Sequence, residues 1–273
     1  MSAVDRHVKE SAAIIAARSS SIAPKIGLVL GSGLGSFAES IDDSVVIPFD
    51  DLPGFPNVGV SGHAGRLVLG TIGGTPVAIM QGRTHYYEAA NAGAMKVPIQ
   101  TLKKLGCETV VLTNAAGSLN PAAGPGSVML VSDHINFMGV SPLFGEAGNG
   151  RFVDMTNAYD PDLRTEFKVI ADGQGIRLHD GIYMWFCGPQ FETPAEIRAA
   201  KALGATNVGM STVPEVILAR HAGLRVAALS IITNFAAGMS DTKLSHEQTL
   251  RNAKMATEDV NKLLFDFLSS HKS

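Results

Sequence analysis

The chain has 273 residues, 45% of them hydrophobic and 17% charged, enough apolar material for one large α/β domain or two small ones and too much for a disordered chain. A formal net charge of −3, with Lys and Arg scattered along the sequence, argues against a surface that tracks nucleic-acid phosphates and points to a small-molecule partner. Cys107 and Cys187 stand far apart without C-x-x-C or metal spacing, which argues against a disulfide framework or a zinc site.

In chain order, the opening "MSAVDRHVKESAAIIAARSS" mixes charge with a short apolar run and predicts an amphipathic helix over 4–18, not a signal peptide. No apolar run approaches the roughly 18 residues of a membrane helix, so a soluble, cytoplasmic chain is expected. Runs rich in β-branched residues predict strands at 26–30, 44–49, 66–72, 75–80, 109–114, 127–132, 182–186, 206–210 and 226–233. Between them, helical patterns are expected at 89–105, 161–174, 194–203, 213–222 and 245–270. Apolar strands separated by helices imply a mixed, largely parallel central sheet covered on both faces. The pair at 66–80, joined by Gly73 and Gly74, reads as an antiparallel hairpin. Residues 140–161 are rich in Gly, Pro and Asn and form the one long loop expected. Strands of the same character resume after it, so a single domain over 1–273, with its core at about 5–268, is favoured.

Glycine-rich strand ends come next. "VLGSGLGS" (29–36) approaches a dinucleotide fingerprint, but Ser36 stands where the third Gly or Ala belongs, and Asp50 and Asp51 lie in a proline-bounded loop. What remains is a strand-to-helix turn that either serves packing alone or binds an anion through its N–H groups and the Ser32 hydroxyl. "TNAAGSLNP" (113–121) reads as a second such turn, and Thr233 and Asn234 end a third buried run. In an open α/β sheet these ends gather on one edge, where ligands bind. In "QGRTHYYE" (81–88), an extended backbone past Gly82 would bring Arg83, His85 and Tyr87 to one side, a set suited to an anionic ligand.

Taken together, "GSGLG" (31–35), "GHAG" (62–65), "QGRTHYYE" (81–88), "TNAAG" (113–117), "GPQFETPAE" (188–196), "GMSTVPE" (209–215), "ITN" (232–234) and "SHEQ" (245–248) resemble, in order and spacing, the trimeric, 6-oxopurine-specific purine nucleoside phosphorylases. The resemblance covers about residues 5–268. After Asn234 the run "FAAGMSD" is similar to that of bacterial members.

The resemblance implies a role for each matched position. Orthophosphate would be held by Ser32, Arg83, His85 and Ser211 with the backbone N–H of Ala115, a forked guanidinium with hydroxyls and amides being a way to bind phosphate without metal. His63 is similar to a loop residue at the phosphate mouth, though alone it reads as a turn histidine. Glu88 either orients His85 or caps the following helix. Tyr87 and His246 would bond the ribose, with Met210 beneath the sugar; on local pattern alone His246 is a solvent-facing residue at a helix start capped by Ser245. Phe191 would stack on the purine or serve as a core aromatic. Glu192, otherwise a helix-terminal charge, would pair with Asn234 to select 6-oxopurines, because a carboxylate can accept from N1–H of hypoxanthine or guanine but cannot donate to the bare N1 of adenine.

The implied activity is that of a pentosyltransferase in purine salvage. It is reversible phosphorolysis of inosine, guanosine and their 2′-deoxy forms to free base and α-(deoxy)ribose 1-phosphate, with Asn234, Glu192 and His85 as the catalytic set. Orthophosphate is a co-substrate; no cofactor or metal, no nucleic acid and no membrane partner is expected. The resemblance also implies a homotrimer in which Phe152, in "GRFVDM", completes the ribose pocket of the neighbouring subunit. Competing readings are a nicotinamide-dependent oxidoreductase, which fails at Ser36, a nucleoside-binding protein without turnover, and a phosphorylase of adenosine or methylthioadenosine.

Overall fold

The computed structural model describes residues 2–20, 22–60, 62–241 and 244–271. All nine expected strands are present: β1 (Ile26–Val29), β2 (Asp42–Pro48), β3 (Arg66–Ile72), β4 (Thr75–Gln81), β5 (Thr109–Ser118), β6 (Val128–Asn136), β7 (Leu178–Trp185), β8 (Asn207–Gly209) and β9 (Arg225–Phe235). The helices are α1 (Ala3–Arg18), α2 (Tyr86–Ala89), α3 (Lys96–Leu105), α4 (Pro161–Gln174), α5 (Pro194–Ala202), α6 (Val213–His221), α7 (His246–Ala253) and α8 (Thr257–Ser270).

The strands form one mixed sheet in the order β2-β3-β4-β1-β5-β8-β7-β6-β9. The β3–β4 hairpin is antiparallel as expected, while β1 pairs in parallel with β4 and β5. β5 also pairs with β9. The strands β5, β8, β7, β6 and β9 therefore close into a ring instead of ending in the open edge expected from sequence.

Period-2 alternation divides the strands between two apolar layers. In β4, Ala78 and Met80 face a core that includes Ile15 of α1, Ile99 and Leu102 of α3 and Val216 of α6. Val77 and Ile79 face the opposite core, built with Phe167 of α4 and Leu264 and Phe267 of α8. A smaller third cluster packs Ile197 and Ala200 of α5 against Met184 and Val208. The helices start where local chemistry satisfies their free N–H groups. Ser2 and Asp5 form a capping box on α1, Asp160 caps α4 ahead of Pro161, and Thr193 with Glu196 boxes α5 ahead of Pro194.

Four sequence expectations need correction. The helix expected over 89–105 is two pieces, because Ala90 adopts a left-handed conformation (φ 49°) and α3 begins only at Lys96. The helix expected over 245–270 is broken between α7 and α8. The former is tied to β9 by the Asn252 amide donating to the Thr233 carbonyl at 2.7 Å, whereas the latter packs on α4. "GSGLGS" leads into a 3-10 turn at Gly35–Ser40, not an α-helix, so no α-helix N-terminus faces an anion there. "TNAAGS" is not a turn either; it continues β5, paired with β9 and, at its end, with β8.

Candidate active site

A cavity of about 430 Å³ opens where the ends of β1, β4, β5, β8 and β9 meet the segments 82–87 and 189–192 and α7. Its volume lies in the range of small-molecule sites. Ser32, His63, Arg83, His85, Tyr87, Ala115, Phe191, Glu192, Met210, Ser211, Asn234 and His246 all line it. Phe152 does not; it stands 75% exposed on the long loop, beside the Arg151 guanidinium.

Arg83, His85 and Tyr87 converge by a different route from the one expected. β4 stops at Gln81, Gly82 takes φ 118°, which an L side chain rarely adopts, and a Cβ there would lie 2.6 Å from that of His63. The chain then enters the single turn α2, with His85 at its N-cap. Glu88 Oε1 accepts from the His85 backbone N–H at 2.7 Å and lies 3.1 Å from Nδ1, so Glu88 both caps the turn and orients the ring. A carboxylate only accepts, which fixes the proton on Nδ1 and leaves Nε2 as an acceptor. The Tyr87 ring stacks on His85 at 4.9 Å.

His63 is held on the other side. Its Nδ1 is 3.0 Å from the Arg83 carbonyl, which assigns a proton to that nitrogen, and its Nε2 is 3.3 Å from Ser32 Oγ. The more distant Arg83 N–H, at 3.4 Å from Nδ1, does not compete with the carbonyl. Burial is the main cause that lowers His63 to about 4 and His85 to about 3, with the Arg83 charge second in both. Both imidazoles are therefore neutral near pH 7.

Ser211 is presented by a strained turn. Thr212, β-branched and fully buried, has φ 71° and ψ −54°, and the Val213 N–H donates to the Ser211 carbonyl at 2.8 Å across it. Thr212 Oγ1 accepts from Asn114 Nδ2 at 2.9 Å and lies 3.1 Å from Ser211 Oγ, while the Ser211 N–H donates to the Tyr183 hydroxyl at 3.2 Å.

Asn234 reaches the cavity through a register shift. Ala116 pairs with Ile232 but Gly117 with Asn234, so Thr233 is the extra residue of a bulge that re-aims the Asn234 side chain. The Thr233 hydroxyl lies 2.8 Å from Asn234 Oδ1 and orients the amide, whose Nδ2 donates to the Phe235 carbonyl at 2.9 Å and keeps a second N–H. A Cβ on Gly117 would stand 3.0 Å from Nδ2, so the bare glycine gives the amide its room. Glu192 is 9% exposed, and burial is the main cause that raises its pKa above the usual carboxylate value. Among the described residues no group of three His, Cys, Asp or Glu side chains is placed to hold a metal ion, and no helix is long and apolar enough to cross a membrane.

The family model described as "Phosphorylase superfamily" matches residues 25–269. The chain is 46% identical over 239 residues to purine nucleoside phosphorylase 1 of Geobacillus stearothermophilus, covering 86% of this chain and 87% of that one. It is 41% identical over 259 residues to the purine nucleoside phosphorylase of Mus musculus, covering 90% and 89%.

The chain belongs to the purine nucleoside phosphorylase family.

Among solved structures, a schistosoma purine nucleoside phosphorylase in complex with hypoxanthine superposes with a TM-score of 0.92 at 36% identity, covering 100% of both chains. The Schistosoma mansoni purine nucleoside phosphorylase in complex with inosine matches with the same TM-score at 35% identity, covering 100% of this chain and 99% of that one, and its adenosine complex does so at 36%, covering 100% of both. The mixed sheet flanked by helices is thus the fold of the purine nucleoside phosphorylases.

Within this family member, sequence reasoning missed the residues that hold the site from behind. Glu215, Tyr183 and Asn114 touch Arg83, Ser211 and Thr212. Glu215 sits inside the quoted "GMSTVPE", where it reads as an ordinary first-turn acid of a helix. Tyr183 lies inside an apolar strand and carries no local signal, and Asn114, inside the quoted "TNAAG", reads locally as a turn residue.

Proposed function

We propose that this chain catalyses the reversible phosphorolysis of purine nucleosides, with inosine, guanosine and their 2′-deoxy forms as substrates and free base and α-(deoxy)ribose 1-phosphate as products. The observation that carries the reading is the presence, in one cavity, of an anion-binding set (Ser32, Arg83, His85, Ser211) and a base-reading pair (Glu192, Asn234). An oxidoreductase or a plain binding protein has no use for both.

Cleavage of the N-glycosidic bond builds positive charge on the ribose and negative charge on the departing base. Phosphate beneath the sugar stabilises that cation and then bonds C1′ from the face opposite the base, which gives the α product. Ser32, Ser211 and the Ala115 N–H donate to phosphate; the Ser32 hydroxyl, resting against His63 Nε2, turns to the anion. His85 is neutral, and its free Nε2 accepts from the one protonated oxygen of HPO₄²⁻. His63 stands at the phosphate mouth, where its Nε2 accepts the Ser32 proton until the anion takes it. Tyr87 and His246 bond the ribose over Met210, and Phe191 stacks on the purine. The free Asn234 N–H donates to N7 while Glu192 accepts from N1–H, so charge leaving with the base meets oriented partners.

Purine salvage in the cytoplasm, without a cofactor, is the role this chemistry suits. A homotrimer in which Phe152 enters the neighbouring ribose pocket accounts for a large aromatic side chain left exposed. The adenosine complex of the S. mansoni relative favours a second reading, in which 6-aminopurine nucleosides also turn over.

The deciding assay is hypoxanthine release from inosine with and without orthophosphate, with adenosine in parallel. Phosphate-dependent release from inosine, at least a hundredfold faster than from adenosine, is expected. Release without phosphate identifies a hydrolase and overturns the reading; equal rates with adenosine overturn the base selection alone.

A further inference from the structure

Arg83 enters the cavity wall with its side chain 1% exposed, and both terminal nitrogens are already engaged by the protein. Nη2 donates to the Thr113 carbonyl at 2.5 Å and the Val29 carbonyl at 3.2 Å. Nη1 donates to Thr212 Oγ1 at 3.4 Å and forms an ion pair with Glu215 Oε1 at 3.1 Å, the Glu215 side chain being 3% exposed. Among the described residues the buried Nε–H has no partner. A guanidinium has five N–H donors; here those of Nη2 go to β5 and β1, while Nη1 is drawn to Thr212 Oγ1 by a hydrogen bond and to Glu215 by charge, which turns the two-nitrogen fork away from a bidentate grip on phosphate.

We propose that Glu215 is a positioning residue for Arg83: it holds the guanidinium so that Nε–H, and not the fork, is offered to the phosphate. Glu215 is suited to this because it stands in the first turn of α6, two residues past the Thr212 and Val213 pair that comes after Ser211. The same short segment therefore fixes one phosphate ligand directly and a second through its carboxylate. Thr212 Oγ1, in contact with Arg83, Asn114 and Ser211 Oγ, couples the two. Phosphate is then held by one charged N–H and several neutral donors, with the Arg83 charge already balanced.

The assignment rests on the phosphorolysis proposed above, so wild-type protein is assayed first with and without inorganic phosphate. Glu215→Gln keeps the side-chain shape and removes its charge; Glu215→Asp keeps the charge and withdraws it by one methylene, and serves if the first variant folds poorly. Steady-state assays varying phosphate and inosine separately should show the phosphate KM raised at least tenfold in Glu215→Gln and by less in Glu215→Asp. The inosine KM and the kcat at saturating phosphate should stay within about twofold. A wild-type phosphate KM in both variants shows a purely structural role and overturns the proposal. So does a lowered phosphate KM, which would mean that Glu215 only competes with the anion for Arg83, or an equal rise in both KM values. Base release from wild type without phosphate overturns the functional reading itself, and this assignment with it.

Discussion

His63 and His85 stack, ring centroids 5.3 Å apart and planes 13° from parallel, in a cavity wall that also carries the Arg83 guanidinium. Two imidazolium ions cannot share that space cheaply. The pair persists because burial and the Arg83 charge keep both rings neutral, at about 4 and about 3. The Glu88 carboxylate beside His85 Nδ1, which acts in the opposite sense, does not reverse this.

Stability should therefore depend on pH in a defined window. Both folded values lie below the ordinary 6.5, so the unfolded chain takes up protons first as pH falls. The stabilising contribution is full above about pH 6.5 and is lost as pH falls through the folded values, about 4 for His63 and about 3 for His85, by roughly several kcal/mol at ~1.4 kcal/mol per tenfold change. Urea melts of wild type and of His63→Asn between pH 7 and 4.5 check this. The variant should show a shallower decline, and parallel curves would mean that His63 is protonated normally.

Glu192 gives a prediction about selectivity. Its pKa is raised, first by burial and then by the like charge of Glu196, so it protonates at a higher pH than an ordinary carboxylate. As the acid it keeps one acceptor oxygen for N1–H of inosine, weaker than the carboxylate's, and gains an O–H able to donate to the bare N1 of adenine. The ratio of kcat/KM for adenosine to that for inosine should rise as pH falls from 8 to 5. Glu192→Gln, which offers an acceptor and a donor at every pH, should raise the ratio and make it flat. A constant ratio in wild type would remove Glu192 from base recognition.

Much of this site was legible because its chemistry sits in short, unusual runs. Arg83, His85 and Glu88 are close in sequence, and "GMSTVPE" and "FET" carry their own spacing. The nine strands were legible for a different reason: β-branched runs bounded by turn residues leave few alternatives. Long-range pairing was not. Small residues and Asn in "TNAAGS" imitate a turn, and only pairing with β8 and β9 makes them strand, the tertiary context overriding local propensity. The break between α7 and α8 is likewise invisible locally, since "AKMAT" contains no Gly or Pro and the helix divides because its halves dock on different partners. Asn91 and Gly93, both helix breakers, do mark the gap before α3 in the sequence.

Thr212 stores strain for a purpose that can be tested by substitution. A β-branched residue at φ 71° costs on the order of 1–3 kcal/mol. Its hydroxyl, however, is the acceptor for the buried Asn114 amide, and removing that acceptor costs ~1–3 kcal/mol. Thr212→Ser keeps the acceptor and should match wild type within about 1 kcal/mol. Thr212→Ala loses it and gains no backbone relief, whereas Thr212→Gly loses it but relaxes the turn. Urea denaturation should rank Ser above Gly and Gly above Ala; Ala at wild-type stability would show that the Asn114 contact carries no weight.

Phe152 tests whether the ribose pocket is finished by another copy of the chain. The ring is 75% exposed, with the Arg151 guanidinium 5.0 Å from its centre, so truncating it removes almost no packing within the subunit. Phe152→Ala should leave Tm within about 2 °C of wild type, because surface substitutions of this kind stay within ~0.5 kcal/mol. It should also leave the sedimenting mass unchanged. If the ring enters a neighbouring cavity, the variant's inosine KM should rise by about tenfold or more, at the ~1.5–3 kcal/mol of burying a Phe side chain, with the phosphate KM constant. Mixing it with an inactive Glu192→Ala chain should then restore part of the affinity, since some sites would receive a phenylalanine from a Glu192→Ala neighbour. An unchanged inosine KM in Phe152→Ala, or mixing without any recovery, would mean that each subunit builds its ribose pocket alone.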